Sequence, residues 1–326
     1  MKPLAVVLIV AGAVAPLFAQ GRGQAVNRVN REAPGTRGQA VNRVNREAQR
    51  FRTSVAAVRV DALVTDGRRP ITGLTESNFE LRDNGVLQKI TDLHHETLPL
   101  NIISVLDVSG SVKGTPLEQL KEGVTAVFEA LAPKDRAALM TFADRLRLHS
   151  ALTADRARLH ALVRDVTAGG STSLFDAVFA GLALREADDG RTLLLLFSDG
   201  RDTASWLTAR KVIDAARRTD VVIYPVTARM VSQIEMKGRR MPDPMRQTPS
   251  HRLLAALAED TGGRLMYVSG ESALRAAFLE VLAEFRQRYV ISYQPAGVSS
   301  TGWHTIEVRL RGRSGDVRSR RGYFAR

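Results

Sequence analysis

The chain contains no cysteine among its 326 residues. That excludes disulfides, thiol nucleophiles, thiolate metal sites and a lipid-anchored cysteine. Histidine is scarce at six residues (His94, His95, His149, His160, His251 and His304). None falls in the segments singled out below, which leaves little material for general base or zinc chemistry. Long apolar runs are also missing. The one continuous run is Leu4 to Phe18, and about fifteen residues fall short of the ~20 needed to span a bilayer. With Lys2 ahead of it and Leu17-Phe18-Ala19 behind, Met1 to Ala19 has the layout of a cleaved secretory signal, so an exported, periplasmic or secreted chain is expected. Acidic residues are outnumbered, 34 against 47 basic, for a net charge of +13. The excess is confined to the ends. Residues 21–52 hold eight Arg against two Glu, residues 309–326 hold seven Arg against one Asp, and Lys2 supplies the rest. Residues 53–308 are therefore neutral overall. No nucleic-acid-binding motif accompanies the basic ends; contact with an anionic surface is a more economical expectation than nucleic acid, and a merely solubilising role is favoured over both.

Apolar content of 44% and charged content of 25% are ordinary for a globular chain. Residues 20–52 depart from it. The segment RGQAVNRVNREA occurs at 22–33 and again, identically, at 37–48. Two copies at a fifteen-residue period are too few and too short for a solenoid, and the low hydrophobicity predicts a disordered linker. Residues 53–98 read as strands. Val55 to Thr65 alternates with a mostly apolar second face, Asp66-Gly67 marks a turn, and Asn84-Gly85 is a hairpin signal with Val86 to Leu93 as the return strand.

The chain is organised around Leu100 to Val112, LNIISVLDVSGSV. Ile102, Ile103, Val105 and Leu106 read as a strand buried on both faces. Asp107, Ser109 and Ser111 then bring a carboxylate and two hydroxyls to alternate positions, where extended backbone points them the same way. Gly110 is expected to let the turn close. Such a cluster suits a hard divalent cation; a strand followed by a serine-rich helix cap fits this stretch equally well. Two later segments favour the first reading. Gly169-Gly170-Ser171-Thr172-Ser173 is a glycine-hinged loop running into a helix, and Leu193 to Asp202 (LLLLFSDGRD) is another buried run ending in an acidic turn. In a parallel α/β sheet the strand C-termini share one rim where ligands gather, so Asp107 and Asp199 should share it.

Downstream the elements alternate as a doubly wound, mostly parallel sheet requires. Helices are predicted over 117–131, 155–166, 174–184, 208–218, 250–261 and 272–288, with strands over 137–142, 145–149, 192–198, 221–226 and 264–268. Residues 228–249, rich in Met and Arg, are expected to form a surface loop near the rim. Strands over 289–294, 305–310 and 317–324 follow and could pair with residues 53–98. The expected organisation is thus a signal (1–19), a basic linker (20–52), a β-rich module (53–98), an α/β domain (99–289) and C-terminal strands (290–326).

Asp107, Ser109, Ser111, Thr172 and Asp199, in this order and strand context, resemble the von Willebrand factor type A domain and its metal-ion-dependent adhesion site. The flanking segments resemble exported bacterial proteins of this type abundant in acidobacteria. They include Val64-Thr65-Asp66, Asn78-Phe79-Glu80-Leu81, Asp83-Asn84-Gly85 and the closing Gly322-Tyr323-Phe324. The resemblance implies Mg²⁺ or Mn²⁺, with Ca²⁺ an alternative, held by those five residues. It also implies a protein partner presenting Asp or Glu to the ion. Asp176 is expected to brace the Thr172 loop or cap its helix, and Asp202 to support the site from behind. The competing readings are a structural cell-envelope protein and a metal-dependent hydrolase. The hydrolase is disfavoured because two carboxylates and three hydroxyls acidify bound water less than a zinc site would.

Overall fold

The computed structural model describes residues 57–188, 190–228, 248–268 and 273–325. The signal, the duplicated linker and most of the 228–249 segment lie outside them. Five short strands come first: β1 (Val58–Asp66), β2 (Arg69–Pro70), β3 (Phe79–Asp83), β4 (Val86–Gln88) and β5 (Ile90–His95). The α/β part follows as β6 (Leu100–Asp107), α1 (Thr115–Glu129), β7 (Arg136–Phe142), β8 (Leu146–Thr153), α2 (Arg156–Arg164) and α3 (Leu174–Ala183). It continues as β9 (Arg191–Ser198), α4 (Ala209–Ala216), β10 (Val222–Ala228), α5 (Pro249–Thr261), β11 (Met266–Val268) and α6 (Ala273–Arg286). Strands β12 (Tyr289–Tyr293), β13 (Gly302–Leu310), β14 (Asp316–Ser319) and β15 (Gly322–Ala325) close the chain.

The central sheet has the order β11-β10-β9-β6-β7-β8. Every neighbouring pair is parallel except β7 with β8. All eight residues of β6 and all eight of β9 are buried, as strands covered on both faces must be. Their side chains divide by parity. Ile102 and Leu106 join Leu193, Leu195 and Phe197 in a core with α1, α2 and α6. Ile103 and Val105 join Leu194 and Leu196 in a second core with α3, α4 and α5. Each fully buried Leu, Ile, Val or Phe contributes about 1.5–3 kcal/mol, so the two helix layers are fixed chiefly by this alternation. The chain winds from β6 outward to β7 and β8, then returns to place β9 on the other side of β6. The strand order thus reverses between β6 and β9, which creates the crevice where α/β folds bind ligands.

The remaining strands form two antiparallel sheets, β14-β1-β12-β5 and β15-β13-β3-β4. Val60, Ala62 and Val64 of the first meet Phe79, Leu81, Ile306 and Val308 of the second, with Tyr289, Ile291 and Tyr293 filling the space between. Two strands expected to be continuous are broken. The return strand after Asn84-Gly85 divides at Lys89, so that β4 pairs with β3 while β5 pairs with β12. The C-terminal strand divides at Arg320, so that β14 pairs with β1 and β15 with β13. Both breaks pass the chain from one sheet to the other at a corner. Of the seven C-terminal arginines, Arg309, Arg311, Arg318 and Arg321 pair with Glu307, Glu80, Glu284 and Glu259. Much of that segment's positive charge is neutralised within the molecule.

Candidate metal centre

Strands β6 and β9 run side by side with Leu106 opposite Phe197, so the next residues, Asp107 and Ser198, emerge together at the rim. Asp107 is fully buried. One of its oxygens accepts the Ser109 N–H at 2.9 Å and the other accepts the Ser198 hydroxyl at 2.9 Å. Burial pushes the Asp107 carboxyl above the usual carboxylate range. Hydrogen bonds from Ser109 and Ser198 oppose the rise, and the Asp199 charge adds to it. The Ser109 and Ser111 hydroxyls lie 3.2 Å apart, and Ser111 donates to Asp199 at 2.8 Å. The other Asp199 oxygen accepts the Arg201 N–H at 3.0 Å. Asp107, Ser109, Ser111 and Asp199 therefore form one connected oxygen cluster.

Thr172 reaches this rim through its loop. Gly110 N–H donates to the Gly170 carbonyl at 3.0 Å and Gly169 N–H to the Val108 carbonyl at 2.8 Å, which ties the two loops together. Gly170 sits at φ +88°, and a Cβ there would meet an Asp144 carboxylate oxygen at 2.5 Å, so only glycine fits. Gly110 itself has no such backbone; the residue that turns the chain into α1 is Gly114, at φ +86°. The Thr172 carbonyl accepts N–H groups from Thr203 and Ala204, and its N–H donates to the Thr203 hydroxyl. These bonds use the backbone and fix the residue without engaging its hydroxyl.

Of the two roles open to Asp176, the structure removes the helix cap, while Asp202 supports the site through the start of α3. Asp176 does not cap α3. Its carboxylate reaches outward and accepts the N–H groups of Trp206 and Leu207 at 3.0 and 2.9 Å. Asp202 is the cap, accepting the N–H groups of Leu174 and Phe175 at 2.9 and 3.4 Å. The loop after β9 thus grips α3 twice, and the Thr172 loop lies between them. Ser198, Thr203 and Ser205 escaped the sequence reading. Ser198 was legible only through the parity of β9, which places it on the same face as Leu194 and Leu196. The histidines lie apart from the cluster: His149 bonds Thr141 and His304 bonds Asp83.

Among the described residues no group of three or more His, Asp or Glu could hold a metal ion. A cation at this rim would have to rely on hydroxyls as well as on the two carboxylates. The donor set is entirely oxygen, which suits hard divalent ions and disfavours soft ones.

The family model of the von Willebrand factor type A domain matches residues 101–276, more than half of the chain. The chain belongs to that family. Among similar curated proteins, an uncharacterised protein of Synechocystis sp. is 28% identical over 150 residues, which cover 44% of this chain and 35% of that protein. Human inter-alpha-trypsin inhibitor heavy chain H4 is 24% identical over 134 residues, covering 37% of this chain and 14% of that one. The chain thus spans about a third or less of these relatives' length. Among solved structures, a von Willebrand factor type A protein from Catenulispora acidiphila superposes with TM-score 0.49 at 13% identity, covering 81% of this chain and 76% of that one. Proximal thread matrix protein 1 of the mussel byssus, with a zinc-occupied MIDAS motif, gives TM-score 0.48 at 16% identity, covering 62% and 49%.

Proposed function

We propose that this chain is an exported, divalent-cation-dependent protein-binding module that captures an Asp or Glu side chain of a partner. The observation that carries the reading is the connected oxygen cluster of Asp107, Ser109, Ser111 and Asp199 at the point where the strand order reverses. Two carboxylates drawn together through hydroxyls, one of them fully buried, form a site whose negative charge is poorly compensated by the protein alone. Ser109, Ser111 and Thr172 would bind the ion directly, and Asp107 and Asp199 directly or through water. Mg²⁺ or Mn²⁺ fits best and Ca²⁺ is the alternative. When bound, the ion supplies an electrophilic open position that attracts an outside carboxylate. The neutral hydroxyls leave its charge incompletely balanced, and that deficit is what makes a carboxylate the preferred partner group.

Binding is favoured over catalysis because the cluster itself is made of hydroxyls and carboxylates, with no histidine in it. The rest of the reading places the chain in the periplasm or outside the cell, among exported bacterial proteins of the family. Calorimetric titration of the purified chain with MnCl₂ and MgCl₂, beside Asp107→Ala, is the test. About one ion per chain in the wild type and none in the variant is the expected result. Equal binding by both proteins would move the ion elsewhere, and no binding even with an added acidic peptide would remove the reading.

A further inference from the structure

We propose that the partner segment is acidic beyond the single captured residue and carries an apolar side chain that packs on Trp206, making Trp206, Lys113, Arg145 and Arg201 the residues that select it. This rests on the metal-dependent reading above and adds to it which partner the rim accepts. Trp206 is 94% exposed. Its backbone is nevertheless fixed. Its own N–H and that of Leu207 are held by Asp176, and the preceding Ser205 hydroxyl accepts the Phe175 N–H at 3.0 Å. Two residues earlier, Ala204 bonds the carbonyl of Thr172. With the backbone anchored, only the two side-chain torsions of the indole remain to be ordered on binding, which keeps the cost low. Large aromatic anchors of this kind dominate interface energetics.

The charges around the same rim have one sign in excess. Lys113 follows the Ser111 turn, Arg201 follows Asp199, and Arg145 lies in the turn after β7, where its carbonyl accepts the Ala143 N–H. Ala143 in turn accepts the N–H of Ser173, beside Thr172. All three cationic residues are exposed, and none has an ion-pair partner among the described residues. Asp144, next to Arg145 in the chain, is an exposed carboxylate in the same turn. With a divalent ion offset by Asp107 and Asp199, and with Asp176 and Asp202 partly buried against backbone N–H groups, the exposed side chains among the described residues of the rim keep cations in excess, which steers an acidic segment toward the centre. Three cations placed around one centre, rather than along a track, suit a compact cluster of side chains more than an extended anionic polysaccharide. The apolar anchor beside them favours a protein segment.

The experiment is fluorescence anisotropy of the full chain against labelled synthetic peptides, in Mn²⁺ and in EDTA. The peptides carry a central Glu or Gln, flanking Asp or Ser, and a neighbouring Leu or Ser. The wild type is expected to prefer central Glu with Asp and Leu neighbours, in Mn²⁺ only. Trp206→Ala should lose the Leu preference and weaken that peptide tenfold or more, while its Mn²⁺ titration and thermal melt stay those of the wild type. The Lys113→Gln, Arg145→Gln, Arg201→Gln triple variant should lose the Asp preference and most of the salt dependence. Dependence on central Glu and Mn²⁺ without any effect of these variants would overturn the inference and leave the metal reading intact. Loss of dependence on central Glu or on Mn²⁺ would remove both. Tighter binding to an alginate oligosaccharide than to any peptide would also overturn it.

Discussion

Replacing Asp107 by asparagine should separate the cost of the site from its use. The carboxylate is fully buried, and burial raises its pKa, so in the absence of an ion its charged form opposes folding. Asparagine keeps an oxygen to accept the Ser109 N–H. Its amide faces Ser198, whose hydroxyl already accepts the Gly200 N–H at 3.1 Å. The exchange costs about one neutral hydrogen bond, roughly 0.5–1.5 kcal/mol, and removes a desolvated charge and its repulsion with Asp199. The metal-free variant should therefore melt close to the metal-free wild type or above it. A folded-state pKa raised above the ordinary 3.8 contributes stability that is present below that value and lost as pH rises through the raised one. The metal-free wild type should accordingly weaken as pH rises through this window, and the variant should not. With ion at a hundredfold its dissociation constant, linkage stabilises the wild type by about 2.7 kcal/mol. At about 2–4 °C per kcal/mol for domains of this order, that is a rise of about 5–10 °C, which the variant lacks. Thermal melts followed by near-ultraviolet circular dichroism, with and without MnCl₂, give all four values. An equal Mn²⁺ shift in both proteins, or a metal-free variant melting far below the wild type, would refute the argument.

Two further outcomes follow from the same geometry. Asp202→Ala removes the acceptor for the first N–H groups of α3 and should cost about 0.5–2 kcal/mol in urea titration. It should also weaken Mn²⁺ binding because Thr172 leads directly into that helix, and Asp202→Asn should recover most of both; a variant as stable as the wild type would contradict the assigned cap. Burial pushes the phenols of Tyr224 and Tyr323 up to about 12 from an ordinary 10.0, so their contribution is intact below pH 10 and lost as pH rises toward 12. Alkaline ultraviolet titration of the folded chain should show both ionising late, and Tyr224→Phe should reduce the alkaline fall in melting temperature.

The sequence made the centre of the α/β part legible because there the local pattern and the tertiary environment agree. A strand buried on both faces must be continuously apolar, so β6 and β9 declare themselves, and the polar residues that end them stand out. Ser198 was hidden by the same rule. It closes an apolar run and looks like its last residue, and only the register of β9 against β6 shows that it bonds Asp107. Which of Asp176 and Asp202 caps α3 was equally out of reach. Both are acids near one helix start, and which of them caps it depends on how the loop after β9 folds back, a contact about thirty residues away in sequence. The breaks at Lys89 and Arg320 leave no trace because alternation of apolar and polar residues continues when a strand passes from one sheet to the next.

The antiparallel sheets are fastened to the end of the central sheet opposite the oxygen cluster. Arg191 begins β9 and is almost wholly buried. It bonds Asp61 of β1 at 2.8 Å and the Phe285 carbonyl at the end of α6, and its guanidinium lies 4.5 Å from the Phe285 ring centre. Arg288, also fully buried, bonds the Tyr224 hydroxyl at 2.9 Å and reaches the Asp61 carbonyl. These contacts fasten β1 and β12 to the end of the central sheet where β9 starts. The oxygen cluster lies at the end where β9 finishes, and an eight-residue strand extends about 3.3 Å per residue. More than 20 Å therefore separates the two ends. The antiparallel sheets are thus anchored at the end of β9 away from Asp199. Their buried arginine contacts brace the base of the same strand whose far end supplies Ser198 and Asp199. Among the described residues, the loops after β6, β7 and β9 and the loop before α3 face a partner approaching the rim. Those loops carry Trp206 and the exposed Lys113, Arg145 and Arg201, the side chains placed to select a partner.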